Sequence, residues 1–192
     1  MSLPKRTAVL IATGTFLFAL SACSVSVNDK GEKDRVDIRT PVGGVHIGSD
    51  VDVKDTGLSV YPGSQRKPDE KDKDSNNANV TIASSLFGIK VAAVTYDTDA
   101  PPDKVIAYYK NELVKYGKVL QCRGKDLNIT MHNSRNEESR ELTCDKEDSD
   151  GNVIELKAGT SDNQHLVSVK PQDKGSEFSL VYVQAHGKRE PI

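Results

Sequence analysis

Short stretches in which apolar and polar residues alternate run through most of this chain, and polar turns separate them at intervals of roughly ten residues. Alternation with period two is typical of β-strands that bury one face, because successive side chains point to opposite sides of a strand. The spacing, with only one helical pattern in the chain, predicts an antiparallel meander. A hairpin is predicted over residues 79–98. The later strand candidates are Val119–Cys122, Leu127–Met131, Glu141–Cys144, Val153–Lys157, Leu166–Val169 and Phe178–Gln184.

Residues 98–117 have a different period, in which apolar residues recur at three- and four-residue spacing along one side of a helix. Thr98 or Asp99 can cap its start, two following prolines suit the first turn, and Gly117 can end it. Such a helix needs a sheet to cover its apolar stripe. The predicted fold class is therefore α+β, an antiparallel β-meander with one amphipathic helix packed on it, preceded by a short β-ribbon. The stripe consists of Val105, Ile106, Tyr109, Leu113 and Tyr116.

The same patterns divide the chain into segments. Residues 23–35 are polar and charged and are expected to form a flexible tether. Residues 36–55 alternate with Gly, Pro and Asp turns and predict the short β-ribbon. The α+β domain is expected over residues 56–187. Within it, residues 65–79 have no apolar period and predict a mobile charged loop, with a binding loop for a charged partner as the alternative.

The charge balance excludes some classes of protein. Lys and Arg together number 26, against 28 for Asp and Glu, so there is no basic excess to neutralise a phosphate backbone. We therefore expect no nucleic-acid partner. A mean hydropathy of −0.52 excludes a polytopic membrane protein.

The N-terminus has the organisation of an export signal. Lys5 and Arg6 precede an apolar run from Ala8 to Leu20. A basic start followed by about 13 mostly apolar residues is typical of such signals, whereas a membrane-spanning helix needs roughly 20. Residues 1–22 are therefore predicted to be a signal peptide.

The end of that run is more specific. Leu20-Ser21-Ala22-Cys23 resembles the lipobox of bacterial lipoproteins. The resemblance implies cleavage before Cys23 and lipidation of its thiol, with palmitate-type acyl chains holding the mature protein on a membrane. It also implies a location in the bacterial cell envelope. Ser24 after the Cys implies the periplasmic side of the outer membrane if the source is Gram-negative.

A second resemblance lies further along the chain. The sequence LSVYPG, followed by VTYDTDAPPDKVIAYYKNELVKYG, resembles a module of exported bacterial proteins of unknown function, in which a Tyr-Pro-Gly turn precedes a strand and a helix. Turn, packing and cap roles account for each matched residue, so the resemblance implies no activity. The matched residues are Tyr61, Pro62, Gly63, Val105, Tyr108, Tyr109, Leu113 and Gly117.

Two cysteines remain once Cys23 is assigned to the lipid. Cys122 and Cys144 would then be an even pair in an oxidising compartment, which favours a structural disulfide. A redox-active or metal-binding pair is the alternative. Neither the Cys-x-x-Cys spacing nor a neighbouring His supports that alternative.

The sequence contains no recognisable catalytic motif. His46, His132, His165 and His186 are scattered without metal-ligand spacing and are expected to be strand-surface or turn residues. There is no serine-hydrolase elbow or phosphate-binding glycine loop. No catalytic, cofactor-binding or metal residue is predicted. The expected function is a non-enzymatic binding module of an envelope lipoprotein, with an envelope protein as partner. Two alternatives are a hydrolase whose site is assembled from scattered Asp, Ser and His, and a carrier of a small apolar ligand between helix and sheet.

Overall fold

The structure is a computed structural model that describes residues 24–28, 35–40, 43–48, 50–68, 77–84, 87–125, 141–144 and 150–187. Within these ranges the chain forms ten strands, one α-helix and two 3-10 turns. The strands are β1 (Ser24–Asn28), β2 (Arg35–Thr40), β3 (Gly43–Gly48), β4 (Gln65–Arg66), β5 (Ala78–Ser84), β6 (Phe87–Thr98), β7 (Leu120–Gly124), β8 (Val153–Thr160), β9 (Asn163–Pro171) and β10 (Ser176–Gly187). The helix α1 spans Pro102–Leu113, and the 3-10 turns span Val53–Thr56 and Val114–Tyr116.

The ten strands belong to one antiparallel sheet with the order β1-β2-β3-β5-β6-β10-β9-β8-β7. Strand β4 lies beside the C-terminal half of β6, with Gln65 opposite Asp97. Strands β7 to β10 are consecutive neighbours, and β10 then pairs along the whole of β6. An antiparallel sheet with a single helix confirms the predicted α+β class.

The helix starts later than its predicted caps. Pro101 takes the N-cap position with extended backbone and no side-chain hydrogen bond. The proline after it disfavours helical backbone at Pro101, so neither Thr98 nor Asp99 is near enough to cap. Thr98 Oγ1 instead accepts a hydrogen bond from the Ala100 N–H at 3.3 Å. As predicted, helical winding stops at Gly117, where φ is 126°.

Helix α1 lies on β8 and β9 and closes the main core. Val105, Tyr109 and Leu113 are fully buried, and each large side chain stabilises the fold by about 1.5–3 kcal/mol relative to exposure. Ile106 and Tyr116, the other members of the predicted stripe, are partly buried at its margin. The sheet side of this core consists of Ala92, Val94, Tyr96, Ile154, Leu156, Ala158, Val167, Val169, Phe178 and Leu180.

A second apolar cluster lies on the opposite face of the sheet. It contains Leu166, Val181 and Val183, all fully buried. Strand alternation also places Glu155 and Lys157 on this face, where their charged ends are 3.3 Å apart and nearly inaccessible to solvent. Burying either charge alone would be costly, so the pair is retained together.

The predicted ribbon and the predicted domain share one sheet. Strand β3 pairs with β5, with Val45 opposite Ile82. Val51 and Leu58, on either side of the predicted boundary at residue 55, pack in the same core. Residues 24–28, which the sequence assigned to a tether, form strand β1 and pair with β2.

The predicted mobile loop is fixed at both ends. Gln65–Arg66 form β4, and Asn77 is buried. The Asn77 amide donates to the Lys67 carbonyl at 3.0 Å and accepts from the Thr95 N–H at 3.1 Å. Residues 69–76 of this loop lie outside the described residues, and so does the strand predicted at Leu127–Met131.

Candidate functional site

A groove of about 320 Å³ opens between helix α1 and the β7 end of the sheet. Its walls come from one side of the helix and from the helix-facing side of β7 and β8. The lining residues are Asp103, Ile106, Ala107 and Lys110 from the helix, with Gln121, Arg123 and Ile154 from the sheet.

Strand register explains why these sheet residues face the helix. Gln121 pairs with Leu156, and Arg123 pairs with Ile154. Both partners belong to the core beneath the helix, so alternation places Gln121 and Arg123 on that same side. Cys122, between them, points to the opposite face and is buried.

The groove combines an apolar wall with charged margins. Ile106 supplies partly buried apolar surface, while Lys110 and Arg123 are exposed cations and Asp103 is an exposed acid near the start of the helix. The Arg123 guanidinium donates to the Gly151 carbonyl at 3.3 Å, which restricts where the cation lies. The arrangement suits an apolar group that carries a carboxylate, and it supplies no adjacent pair of acid and base.

Helix α1 also holds the Tyr-Pro-Gly segment. The fully buried Tyr109 hydroxyl donates to the Ser59 carbonyl and accepts from the Tyr61 N–H, both at 3.0 Å. Burial raises the pKa of Tyr109, so the hydroxyl keeps the proton that it donates. The Glu112 carboxylate accepts from the Ser59 N–H at 2.7 Å and lies 3.1 Å from Lys115 Nζ. Burial opposes ionisation of Glu112, but these hydrogen bonds outweigh it and hold its pKa below the usual value.

The two adjacent helix tyrosines have different roles. Tyr109 points into the core, where its ring centroid lies 5.5 Å from that of Phe178. Tyr108 is partly buried and packs edge-on against Tyr61, with 5.2 Å between the ring centroids. Consecutive helical residues point about 100° apart, which accounts for the division.

His165, in strand β9, is buried rather than on the surface as the sequence suggested. Its ring stacks on Tyr116 with centroids 3.5 Å apart, and its Nδ1 lies 2.9 Å from the Thr56 carbonyl. A carbonyl can only accept, so Nδ1 carries the hydrogen. Burial lowers the pKa of His165, and the hydrogen bond to Thr56 opposes that shift without cancelling it. Together with the Tyr116 hydroxyl, which donates to the Gly57 carbonyl, His165 fixes the first 3-10 turn.

The structure joins Cys122 and Cys144 in a disulfide with 5.5 Å between their Cα atoms, in agreement with the predicted pairing. The strand predicted at Glu141–Cys144 is wrong, because these residues form no strand. Only Cys122 is in a strand, β7, and its side chain points away from the groove. The covalent bond itself, rather than strand pairing, therefore fixes Cys144 in place.

The remaining predicted residues do not converge on one site. His46 Nδ1 lies 2.6 Å from the Asp37 carboxylate on the β2–β3 hairpin. In the part of the chain that the structure describes, no three His, Cys, Asp or Glu side chains are grouped to hold a metal ion. Cys23 and His132 lie outside the described residues. Within those same ranges, no helix has the length and apolar character that crossing a bilayer requires.

Comparisons with known proteins found no matching family model, no matching curated protein and no matching solved structure. The chemistry of the chain's own residues is therefore the basis for a functional proposal.

Proposed function

We propose that this chain is a lipid-anchored protein of the bacterial cell envelope whose α+β domain binds a partner through the groove between α1 and β7. The observation that carries the proposal is the order of the N-terminal residues, in which Lys5 and Arg6, an apolar run and Leu20-Ser21-Ala22-Cys23 follow each other. The Cys122–Cys144 disulfide supports it, because such bonds persist in exported rather than cytosolic proteins.

The groove favours binding over catalysis. The cations Lys110 and Arg123 flank the apolar surface of Ile106, a combination that recognises an anionic group next to an apolar one. We therefore propose a protein partner that presents a carboxylate beside an aliphatic or aromatic side chain. The facing charges would give the pairing its orientation, and the apolar contact would supply most of the affinity.

The two alternative functions gain less support from the described residues. For the hydrolase, His165 contacts the Thr56 carbonyl and the rings of Tyr116 and Tyr182. These contacts give a neutral imidazole a structural role. For the apolar-ligand carrier, the helix–sheet interface is filled by fully buried side chains such as Tyr109 and Leu156. A carrier would need a cavity in the space that these side chains fill.

The anchor is tested by Cys23→Ser in the producing organism, with metabolic labelling by a radioactive fatty acid. We expect the variant to lose the label and to leave the membrane fraction on a carbonate wash. Ser24→Ala, one residue further on, is the control and should keep both. A Cys23→Ser protein that remains in washed membranes would refute lipidation at this residue.

The groove is tested in intact cells with a photocrosslinking amino acid at Ala107, which is exposed in the groove, and at Lys104, which is exposed outside it. We expect an adduct from position 107 that position 104 does not give. Arg123→Glu should remove that adduct by reversing one of the two cationic margins. An adduct that forms equally from both positions, or that Arg123→Glu leaves unchanged, would contradict binding at the groove.

A further inference from the structure

Strands β2, β3, β5, β6 and β10 place aliphatic side chains in two parallel rows across one face of the sheet. The register pairs that define the rows join each strand to the next, so the rows run perpendicular to the strands. The first row is Val36, Ile47, Val80, Val91 and Val183, and the second is Ile38, Val45, Ile82, Ile89 and Ala185. We call the part of these rows on β2, β3, β5 and β6, together with Phe87, the apolar face.

On the reverse side, the same strands are polar where they extend beyond the main core. Asp37, His46, Thr81 and Lys90 follow one another across it in register. His46 is paired with Asp37, and Lys90 Nζ lies 3.0 Å from the Asp55 carboxylate. Since alternation puts every one of these polar groups on the reverse side, the apolar face itself carries no charged side chain.

The apolar face is buried beside the second cluster and accessible away from it. At the β10 end, Val183 is fully buried in the second cluster, and Val91 packs against that cluster. Away from that cluster, Ile47 in β3 is 44% exposed and Phe87, at the start of β6, is 49% exposed. Large apolar side chains that are accessible on one continuous surface mark a surface that contacts a membrane or another protein.

The position of the N-terminus favours a membrane. Strand β1 begins at Ser24, the residue directly after the Cys23 to which we assign the lipid. It pairs with β2 at the outer margin of the apolar face, with Ser24 opposite Arg39. Consecutive Cα atoms are only about 3.8 Å apart, so no free chain separates an acyl group on Cys23 from this sheet. The lipid would therefore hold the apolar face beside the bilayer at a high effective concentration.

We propose that the apolar face rests on the surface of the membrane that holds the lipid anchor. This inference rests on the proposed lipidation of Cys23. The sheet lies in the headgroup region, with Ile47 and Phe87 directed toward the acyl chains and the polar side, including Lys90, directed to water. Interfacial rather than deeper placement follows because an open sheet edge such as β1 cannot leave its backbone groups in hydrocarbon. The bilayer then fixes the orientation of the domain as well as its location.

The test uses single tryptophans, because the chain contains none. Ile47→Trp puts the reporter on the apolar face. Ala83→Trp puts it on the reverse side, at an exposed position in register with Gly44 and Gly88. Both variants are purified from the producing organism in acylated form, and mass spectrometry establishes the acyl group. They are then reconstituted into phosphatidylcholine–phosphatidylglycerol vesicles with and without brominated acyl chains.

We expect brominated lipid to quench Ile47→Trp several-fold more than Ala83→Trp, with a blue-shifted emission maximum for Ile47→Trp alone. Phe87→Trp is a conservative second reporter and should behave like Ile47→Trp. Equal quenching of the two faces in acylated, vesicle-bound protein would overturn the proposal and leave lipidation intact. A blue-shifted but unquenched Ile47→Trp would also overturn it, since the face would then be covered by protein such as a second copy. Purified protein without an acyl group would instead refute the lipidation on which the inference rests.

Discussion

Replacing Tyr109 with Phe removes one oxygen atom and no ring, so it isolates the hydrogen bonds by which α1 holds the Tyr-Pro-Gly segment. The side chain is fully buried, and its hydroxyl donates to the Ser59 carbonyl and accepts from the Tyr61 N–H, at 3.0 Å each. Both partners belong to the backbone and cannot turn to another group without moving the segment. The substitution therefore leaves the Tyr61 N–H and the Ser59 carbonyl without the hydroxyl as a hydrogen-bond partner.

The expected cost follows from the exposure of those two groups. A net hydrogen bond contributes about 0.5–1.5 kcal/mol, and a buried group left without a partner costs about 1–3 kcal/mol. Ser59 is exposed, so water can reach its carbonyl, whereas Tyr61 is partly buried beneath Tyr108. We therefore expect Tyr109→Phe to lower the free energy of unfolding by about 2–3 kcal/mol, with the Tyr61 N–H contributing the larger part.

Urea unfolding of the disulfide-intact protein, followed by circular dichroism, measures this difference. Tyr108→Phe is the matched control, because Tyr108 is the neighbouring residue of the same type and is only partly buried. It should change the free energy of unfolding by less than about 0.5 kcal/mol, as surface substitutions usually do. Equal unfolding midpoints for the two variants would show that the Tyr109 hydroxyl does not hold the segment.

Two further predictions concern stability, one for the disulfide and one for two glycines with positive φ. Reducing the Cys122–Cys144 bond, which spans 22 residues, should lower stability by about 3 kcal/mol in thermal unfolding, and a lipid-anchored protein should stay on its membrane. Gly57→Ala should be more destabilising in urea unfolding than Gly63→Ala. Both glycines have positive φ, but a Cβ at Gly57 would lie 2.6 Å from the Tyr116 hydroxyl, whereas none of the atoms around Gly63 comes within 4 Å. Similar costs for the two glycine variants would mean that only backbone strain matters at Gly57.

Local patterns predicted the elements of this fold well. The stripe of α1 identified its buried face, since Val105, Tyr109 and Leu113 are all inaccessible to solvent. Alternation likewise located β8, β9 and β10, although each extends beyond its predicted bounds. Strand order was not predictable, because pairing such as that of β10 with β6 depends on contacts between distant parts of the chain.

The candidate site shows the same limit. Helix periodicity placed Lys110 outside the core, but the strand predicted at Val119–Cys122 ended one residue before Arg123. Nothing in either pattern shows that these two cations face each other across a groove. The disulfide was predicted by counting cysteines rather than by geometry, which is why the pairing agreed with the structure while the strand assigned to Cys144 did not. A surface or turn position was predicted for His165 because a period-two pattern does not reveal a ring stacked on the side chain.

The burial of His165 makes stability depend on pH in a defined direction. Burial lowers the pKa of this histidine in the folded protein below its ordinary value of 6.5, so the unfolded chain binds more protons between the two pKa values. Stability then rises with pH across that window and falls on acidification below about pH 6.5. The lowered pKa of Glu112 acts in the same direction only in a more acidic range, below its ordinary value of 4.5.

Urea unfolding at pH 7.5 and 5.5 should show this loss of stability in the native protein and a smaller loss in His165→Gln. His186→Gln, an exposed control in β10, should keep the native pH dependence. Equal pH dependence in all three proteins would refute the conclusion that a buried neutral imidazole fixes the Val53–Thr56 turn.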